Sequence, residues 1–210
     1  MFKQLIFGLL FLLTAQTSKA QDFSLRSLDL IGGKQFSNFL FKNSADKKDQ
    51  SLEYQMYNSF GLNASFTSDK HSIRPELLLR QAGAKKTLEN TAVTWKMNYF
   101  NFNIGYGYHL FKNERFEIQP GAAIGVGYLL NGEQLIGDTR LSITEEESMN
   151  RFEFSTYGFS NFRAHLSESI SLSLEYRFGI GINQIENESN DQQTRNVYHG
   201  ALLGIGIALD

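Results

Sequence analysis

The stretch YFNFNIGYGYHLF, residues 99–111, alternates at nearly every position. Phe100, Phe102, Ile104, Tyr106, Tyr108 and Leu110 share one parity; Asn101, Asn103, Gly105, Gly107 and His109 share the other. A period of two marks a β-strand with unlike faces. In a soluble barrel or sandwich the large apolar side chains would point into the core. In a membrane barrel they would point outward and leave the small polar ones to line the interior. The stretch fits both, so the rest of the chain has to separate them.

Alternation of the same kind predicts eight strands, near residues 24–41, 52–66, 71–82, 92–110, 116–128, 151–166, 170–180 and 195–209. The sixth is blurred around Tyr157 and Phe159. Connection lengths alternate as well. Short polar turns fall at 67–70, 112–115 and 167–169, and longer loops near 42–51, 83–91, 131–150 and 183–194. Short turns on one rim, long loops on the other and an even strand number are the plan of an outer-membrane barrel. The sequence therefore predicts an all-β, eight-stranded antiparallel up-and-down transmembrane β-barrel. Tyr54, Trp95, Tyr99, Tyr128 and Tyr176 are candidate interfacial aromatics.

The polar parity is rich in glycine and carries charges of both signs: Arg74, Glu76, Arg80, Glu117, Glu153, Arg163, Glu175 and Arg177. The interior of an eight-stranded barrel is just wide enough for side chains. Glycines on that face are expected to leave room for long Arg and Glu chains, which then satisfy one another as a lumen charge network. A lipocalin-like barrel would instead line its cavity with apolar residues. Phe100, Phe102, Ile104, Tyr106 and Tyr108 are accordingly expected to face lipid.

The N-terminus points the same way. Met1-Phe2-Lys3, the apolar run Leu5–Leu13 and Ser18-Lys19-Ala20 have the layout of a secretory signal, with cleavage expected before Gln21. The expected organisation is a signal peptide over 1–20 and a barrel domain over 21–210. Removing 1–20 takes away two lysines and no acid, so the formal charge moves from −2 to −4 and offers no basic footprint for nucleic acid. The chain has no cysteine, which excludes disulfides and thiol chemistry.

The segments SIRPELLLRQAGAKK (72–86), YFNFNIGYGYHL (99–110) and FEIQPGAAIGVGYLLNGE (116–133) resemble the PorT-like outer-membrane β-barrel family. The matching residues are Pro75, Glu76, Leu77, Gln81, Gly83, Pro120, Gly121, Gly125, Gly127, Tyr128 and Leu129. The resemblance implies an outer-membrane barrel in a Gram-negative bacterium; one branch of the family serves a protein secretion apparatus.

No constellation of catalytic residues stands out. His165-Leu166-Ser167 resembles the His-x-Ser spacing of an outer-membrane lipid A deacylase, but it adjoins a short turn on the rim away from outer-leaflet lipid. The GxG pairs complete no phosphate-binding fingerprint and precede no helix. The acidic segments 144–148 and 186–191 lack calcium-loop spacing. The expected function is a non-enzymatic outer-membrane barrel with a structural or surface-interaction role and a lumen filled by polar and charged side chains. No catalytic, cofactor or metal residue is expected. The expected partners are outer-membrane lipid, the barrel insertion machinery and a protein at the long extracellular loops. An exported soluble lipocalin-like barrel holding a small apolar ligand is the alternative, and a component of a PorT-type secretion apparatus is a further one.

Overall fold

The computed structural model of the 210-residue chain describes residues 23–42, 51–88, 91–144, 149–186 and 193–209. The expected signal peptide and most of both acidic segments lie outside the described residues. The strands are β1 (Ser24–Lys42), β2 (Gln55–Ser68), β3 (His71–Leu88), β4 (Thr91–Tyr108), β5 (Phe111–Lys112), β6 (Phe116–Ile136), β7 (Thr139–Ser142), β8 (Phe152–His165), β9 (Ile170–Gly181) and β10 (Gln193–Ala208). Eight are long, and β5 and β7 are short additions to β6.

The long strands hydrogen-bond in the ring β1-β2-β3-β4-β6-β8-β9-β10, and β10 closes back onto β1 from Ser27↔Ala208 to Lys42↔Gln193. Every neighbouring pair is antiparallel. Closure gives each of the eight long strands a neighbour on both sides, a requirement for any sheet that crosses lipid. Pro75 sits in β3 opposite Ile104 of β4. Toward β2, the paired positions stop at Asn63↔Glu76 and resume at Phe66↔Ile73, a gap that accommodates the missing proline donor.

Side-chain direction answers the question raised by residues 99–111. Phe100, Ile104 and Tyr106 are 42%, 46% and 51% exposed, whereas Asn101 and Asn103 are 2% and 3% exposed. The same inversion runs around the ring, with leucine, isoleucine and phenylalanine outside and serine, asparagine and the charged residues inside. A lipocalin-like cavity is ruled out by this orientation, because the apolar face is the outer one.

The short-turn rim is built by tight local chemistry. The β2–β3 turn places Asp69 at φ 50°, a left-handed position that aspartate tolerates. In the β5–β6 turn the Asn113 side chain accepts from the backbone N–H groups of Arg115 (2.8 Å) and Phe116 (2.7 Å). In the β8–β9 turn Ser167 Oγ accepts from Ser169 N (3.3 Å) and Ile170 N (3.1 Å).

The opposite rim differs from expectation. Residues 83–88 continue β3, paired with β4 up to Leu88↔Thr91, so most of the loop expected at 83–91 is an extended hairpin. Likewise β6 runs to Ile136 and folds back through β7. A shift of register between Asn98 and Tyr99 leaves Leu130 as an extra residue in β6, so the inward parity changes there. Simple alternation fails above that bulge, which is why these extensions read as loops. Gly83, the glycine of the Gln81-Ala82-Gly83 motif, has φ 154°, and a Cβ there would overlap the Trp95 carbonyl oxygen.

Candidate functional site

The inward parity assembles into layers along the barrel axis, the one place where buried charge is concentrated among the described residues. Nearest the short-turn rim, His165 Nε2 lies 3.1 Å and His109 Nδ1 3.6 Å from the Glu117 carboxylate, with Lys112 Nζ 3.6 Å away. Of these, His165, Glu117 and Lys112 line an open mouth of about 990 Å³, with Arg26, Asp69, Glu114, Arg115 and Glu168. Behind it lies a chamber of about 60 Å³ whose walls include His109, Gln119 and Arg163.

The next layer is Arg163, whose Nη1 is 2.8 Å from Asp29 Oδ1 and whose Nη2 donates to Asp29 Oδ2 at 3.0 Å. Above it, Arg74 Nη2 donates to Glu175 Oε2 at 2.6 Å, and Arg177 pairs with both Glu175 and Glu76. Arg177 is bidentate on Glu76, at 3.0 Å to Oε1 and 2.9 Å to Oε2. Asn103 (2.7 Å) and Asn161 (3.3 Å) donate to Glu76 and Glu175, so the carboxylates are satisfied from several sides. Higher still, Arg80 donates to Glu153 at 2.8 Å, and Asn196 donates to the other Glu153 oxygen at 2.6 Å. Buried ion pairs survive desolvation only with this kind of supplementary hydrogen bonding.

Ring order makes these contacts cross-lumen. β3 and β9 stand four strands apart in either direction around the ring of eight, so Arg74–Glu175 and Arg177–Glu76 span the full diameter. Arg80–Glu153 joins β3 to β8, and Arg163–Asp29 joins β8 to β1, each three strands apart.

Of the eight charged residues expected in the lumen, Arg74, Glu76, Arg80, Glu153, Arg163, Glu175 and Arg177 point inward and engage one another or Asp29. Glu117 also points inward, at the short-turn end of the lumen beside the chamber that Arg163 lines, but its partners are two histidines and a lysine instead of an arginine. Sequence reasoning missed Asp29 because β1 is irregular. Its Ser27-Leu28-Asp29-Leu30 alternation was the available signal.

The glycines leave room for charged chains, as Gly206 does for Asp29 and Arg163, and for more besides. A Cβ on Gly121 would overlap the Phe159 ring, and one on Gly179 the Tyr198 ring. At these two positions aromatic rings fill the space, and rings on the inward face carry the arginines. Arg74 lies over Phe159 (4.6 Å), Arg177 over Tyr157 (4.7 Å), and Arg80 between Tyr99 (5.0 Å) and Tyr198 (4.9 Å). Tyr157 and Phe159 blurred β8 because large rings sit on its inward face. Tyr99 is likewise inward, and Trp95 packs inside at the loop rim, so neither is an interfacial aromatic; Tyr54, Tyr128 and Tyr176 face outward.

Above Arg80 the interior turns apolar. Phe39, Met97, Leu129, Ile143, Met149 and Ile185 form a buried cluster in which residues of the two long connections reach over the barrel end. Ile143 N donates to Gly132 O (3.0 Å), and Ile185 N donates to Thr194 O (2.9 Å).

The His165-Leu166-Ser167 pair is not assembled for catalysis in this geometry. His165 Nε2 faces Glu117, while Ser167 Oγ is engaged by its own turn. Among the described residues no group of three or more His, Cys, Asp or Glu side chains is arranged to hold a metal ion.

The closed antiparallel ring has counterparts among solved structures. Neisserial surface protein A matches over 85% of this chain and 96% of its own, with a TM-score of 0.51 at 9% identity. The fold is that of an outer-membrane β-barrel. The protease OmpT from Escherichia coli (TM-score 0.49, 7% identity, 89% and 97% of the two chains) and OprG from Pseudomonas aeruginosa (0.48, 10%, 91% and 99%) also resemble it. No family model matches the chain, and no curated protein matches it in sequence.

Proposed function

We propose that this chain is a non-enzymatic outer-membrane protein of a Gram-negative bacterium, anchored by its barrel and acting through the loops on its outer rim. In this reading the short turns and both chain ends face the periplasm. The signal peptide directs export, the barrel insertion machinery seats the chain, and the long connections offer an outward surface to a protein partner. The lumen is closed: the observation that carries this is the pair of diametric bridges, Arg74–Glu175 and Arg177–Glu76, in a barrel whose bore one side-chain pair fills. The narrowing from the mouth to the chamber behind it, and the apolar cluster at the far rim, support the same reading. The engagement of Ser167 by its turn supports a non-enzymatic role.

The test is planar-bilayer recording on the purified, folded protein. A closed barrel gives no reproducible unitary conductance, and steps of constant size would overturn the proposal. Electrophoresis of the membrane fraction with and without boiling reads insertion separately, because a folded barrel resists SDS until heated. A second reading, a component of a PorT-type secretion apparatus, is favoured by the motif residues of 72–133, among which Gly83 has a steric reason to be glycine. Co-purification with secretion components from the native envelope is its test.

A further inference from the structure

The outer face of the barrel turns polar along one row, which runs from Lys34 and Asn58 to Gln81, Asn98 and Asn131, and Lys34 is its one charged member. In β1 the outward residues are Leu28, Leu30, Gly32, Lys34 and Phe36, so a lysine stands in an apolar column. Register fixes its surroundings. Lys34 lies between Ala201 of β10 and Asn58 of β2; the row toward the short-turn rim is Leu203, Gly32, Phe60, and the row on the other side is His199, Phe36, Met56. Lys34 Nζ donates to Asn58 Oδ1 at 2.5 Å, which leaves two of its three donors for another partner. His199 is itself held in an aromatic setting, stacked on Phe36 (5.3 Å) and within 3.2 Å of the Tyr176 hydroxyl.

Directly below Lys34 the outer surface is hollow. A groove of about 520 Å³ is lined by Leu30, Gly32, Phe60, Leu172, Leu203 and Ile205. It exists because Gly32 contributes no side chain and the Phe60 ring leans over it. The groove runs from the lysine toward the short-turn rim, which in the proposed orientation is from the outer headgroup region toward the middle of the bilayer. Polarity along it is thus that of an amphiphile: a cation with an amide at the outer end, an apolar trough beneath, and an aromatic and histidine row above.

We propose that this groove is a lipid-binding site for one phosphate-bearing lipid of the outer leaflet, its phosphate on Lys34 beside Asn58 and one acyl chain in the trough over Gly32. Charge complementarity selects this occupant. A lysine at the polar edge of an apolar belt stands where lipid headgroups begin, and a lipid phosphate supplies an anion at that depth. A second copy of this chain would bring the same lysine to its own face if the contact were two-fold, placing like charges together. The inference rests on the barrel lying in the outer membrane with its short turns inward.

The test is native mass spectrometry of the full chain, folded in neutral detergent and titrated with phosphatidylglycerol or with phosphatidylcholine of the same acyl chains. The expected result is one phosphatidylglycerol retained in preference to phosphatidylcholine. Lys34→Gln is expected to lower that retention roughly fivefold, the scale of one basic side chain at an anionic membrane surface. Lys34→Arg should keep it, and Gly32→Leu, which fills the trough, should lower retention of both lipids. Equal retention of the two lipids by the unaltered chain, or full retention by Lys34→Gln, overturns the proposal. So does a dimer that Gly32→Leu dissociates, which would make the groove a contact between copies. Each sample is also run with and without boiling. A heat-dependent shift with no lipid preference sinks the lipid site alone, whereas no shift in the unaltered chain sinks the membrane reading beneath it.

Discussion

Arg177 and Glu76 face each other across the whole bore of the barrel, 101 residues apart in sequence, and meet as a bidentate pair at 2.9 and 3.0 Å. Both are buried, and Arg177 is shared with Glu175. Removing one partner therefore strands a carboxylate away from water. Arg177→Met is expected to destabilise the folded barrel by about 3–5 kcal/mol. Urea unfolding in detergent, followed by Trp95 fluorescence, checks this; a change below about 1 kcal/mol would mean the bridge contributes little.

The aromatic filling gives a second test. Gly179→Ala places a methyl group into the Tyr198 ring, and small-to-large changes in a packed interior cost about 1–3 kcal/mol. Combining it with Tyr198→Leu should cost less than the sum of the two single changes, because the shorter side chain vacates the collision. Additive losses would show that the ring does not occupy the space that the glycine leaves.

His109 offers a pH-dependent test at the rim, outside the strands. Its ring is buried and accepts at Nε2 from Gln119 Nε2 (3.0 Å), a bond that needs the neutral form. Burial lowers its pKa below the ordinary imidazole value, and the nearby Glu117 carboxylate only partly offsets that. The unfolded chain therefore binds a proton at a pH where the folded chain does not. Stability present above the ordinary value is lost as pH falls toward the folded one. Unfolding midpoints between about pH 5 and 8 should show this acid slope, and His109→Gln should flatten it. An unchanged slope in the variant would assign the acid sensitivity to other groups.

The outer face predicts a dependence on depth. Ile104 lies midway along the lipid-facing column of β4, and Leu110 lies beyond its end. Lysine at position 104 is expected to cost about 2–4 kcal/mol, and at position 110 about 0–1 kcal/mol, in a bilayer. Equal penalties at the two positions would contradict the placement of the apolar belt.

Most of this architecture was legible because lipid and lumen impose opposite chemistries on alternate residues. Wherever both acted, as from Asn98 to Tyr108, strand limits and facing came directly from the letters. Legibility ended where one solvent ceased to differ from the other. Above the bulge at Leu130 the outer face meets water and the inner face becomes apolar, so β3, β4 and β6 continue through segments that read as loops. The charge network was legible as a set of residues, but its partners were not. Pairing across a bore depends on ring order and stagger, which no local pattern records. The aromatic rings under the arginines hid for a related reason: Tyr157 and Phe159 look outward-facing by size and are inward only because Gly121 and its neighbours make room.

The diametric bridges also constrain how such a chain can be assembled. Arg74, Glu76 and Arg80 lie on β3, while their partners lie on β8 and β9, in the second half of the sequence. A half-built sheet pushed into hydrocarbon would carry three unmatched ions on its leading hairpins. Insertion strand by strand is thereby disfavoured. The last hairpins have to curl around and neutralise the first before the bilayer closes over them, so curling and entry form a single step.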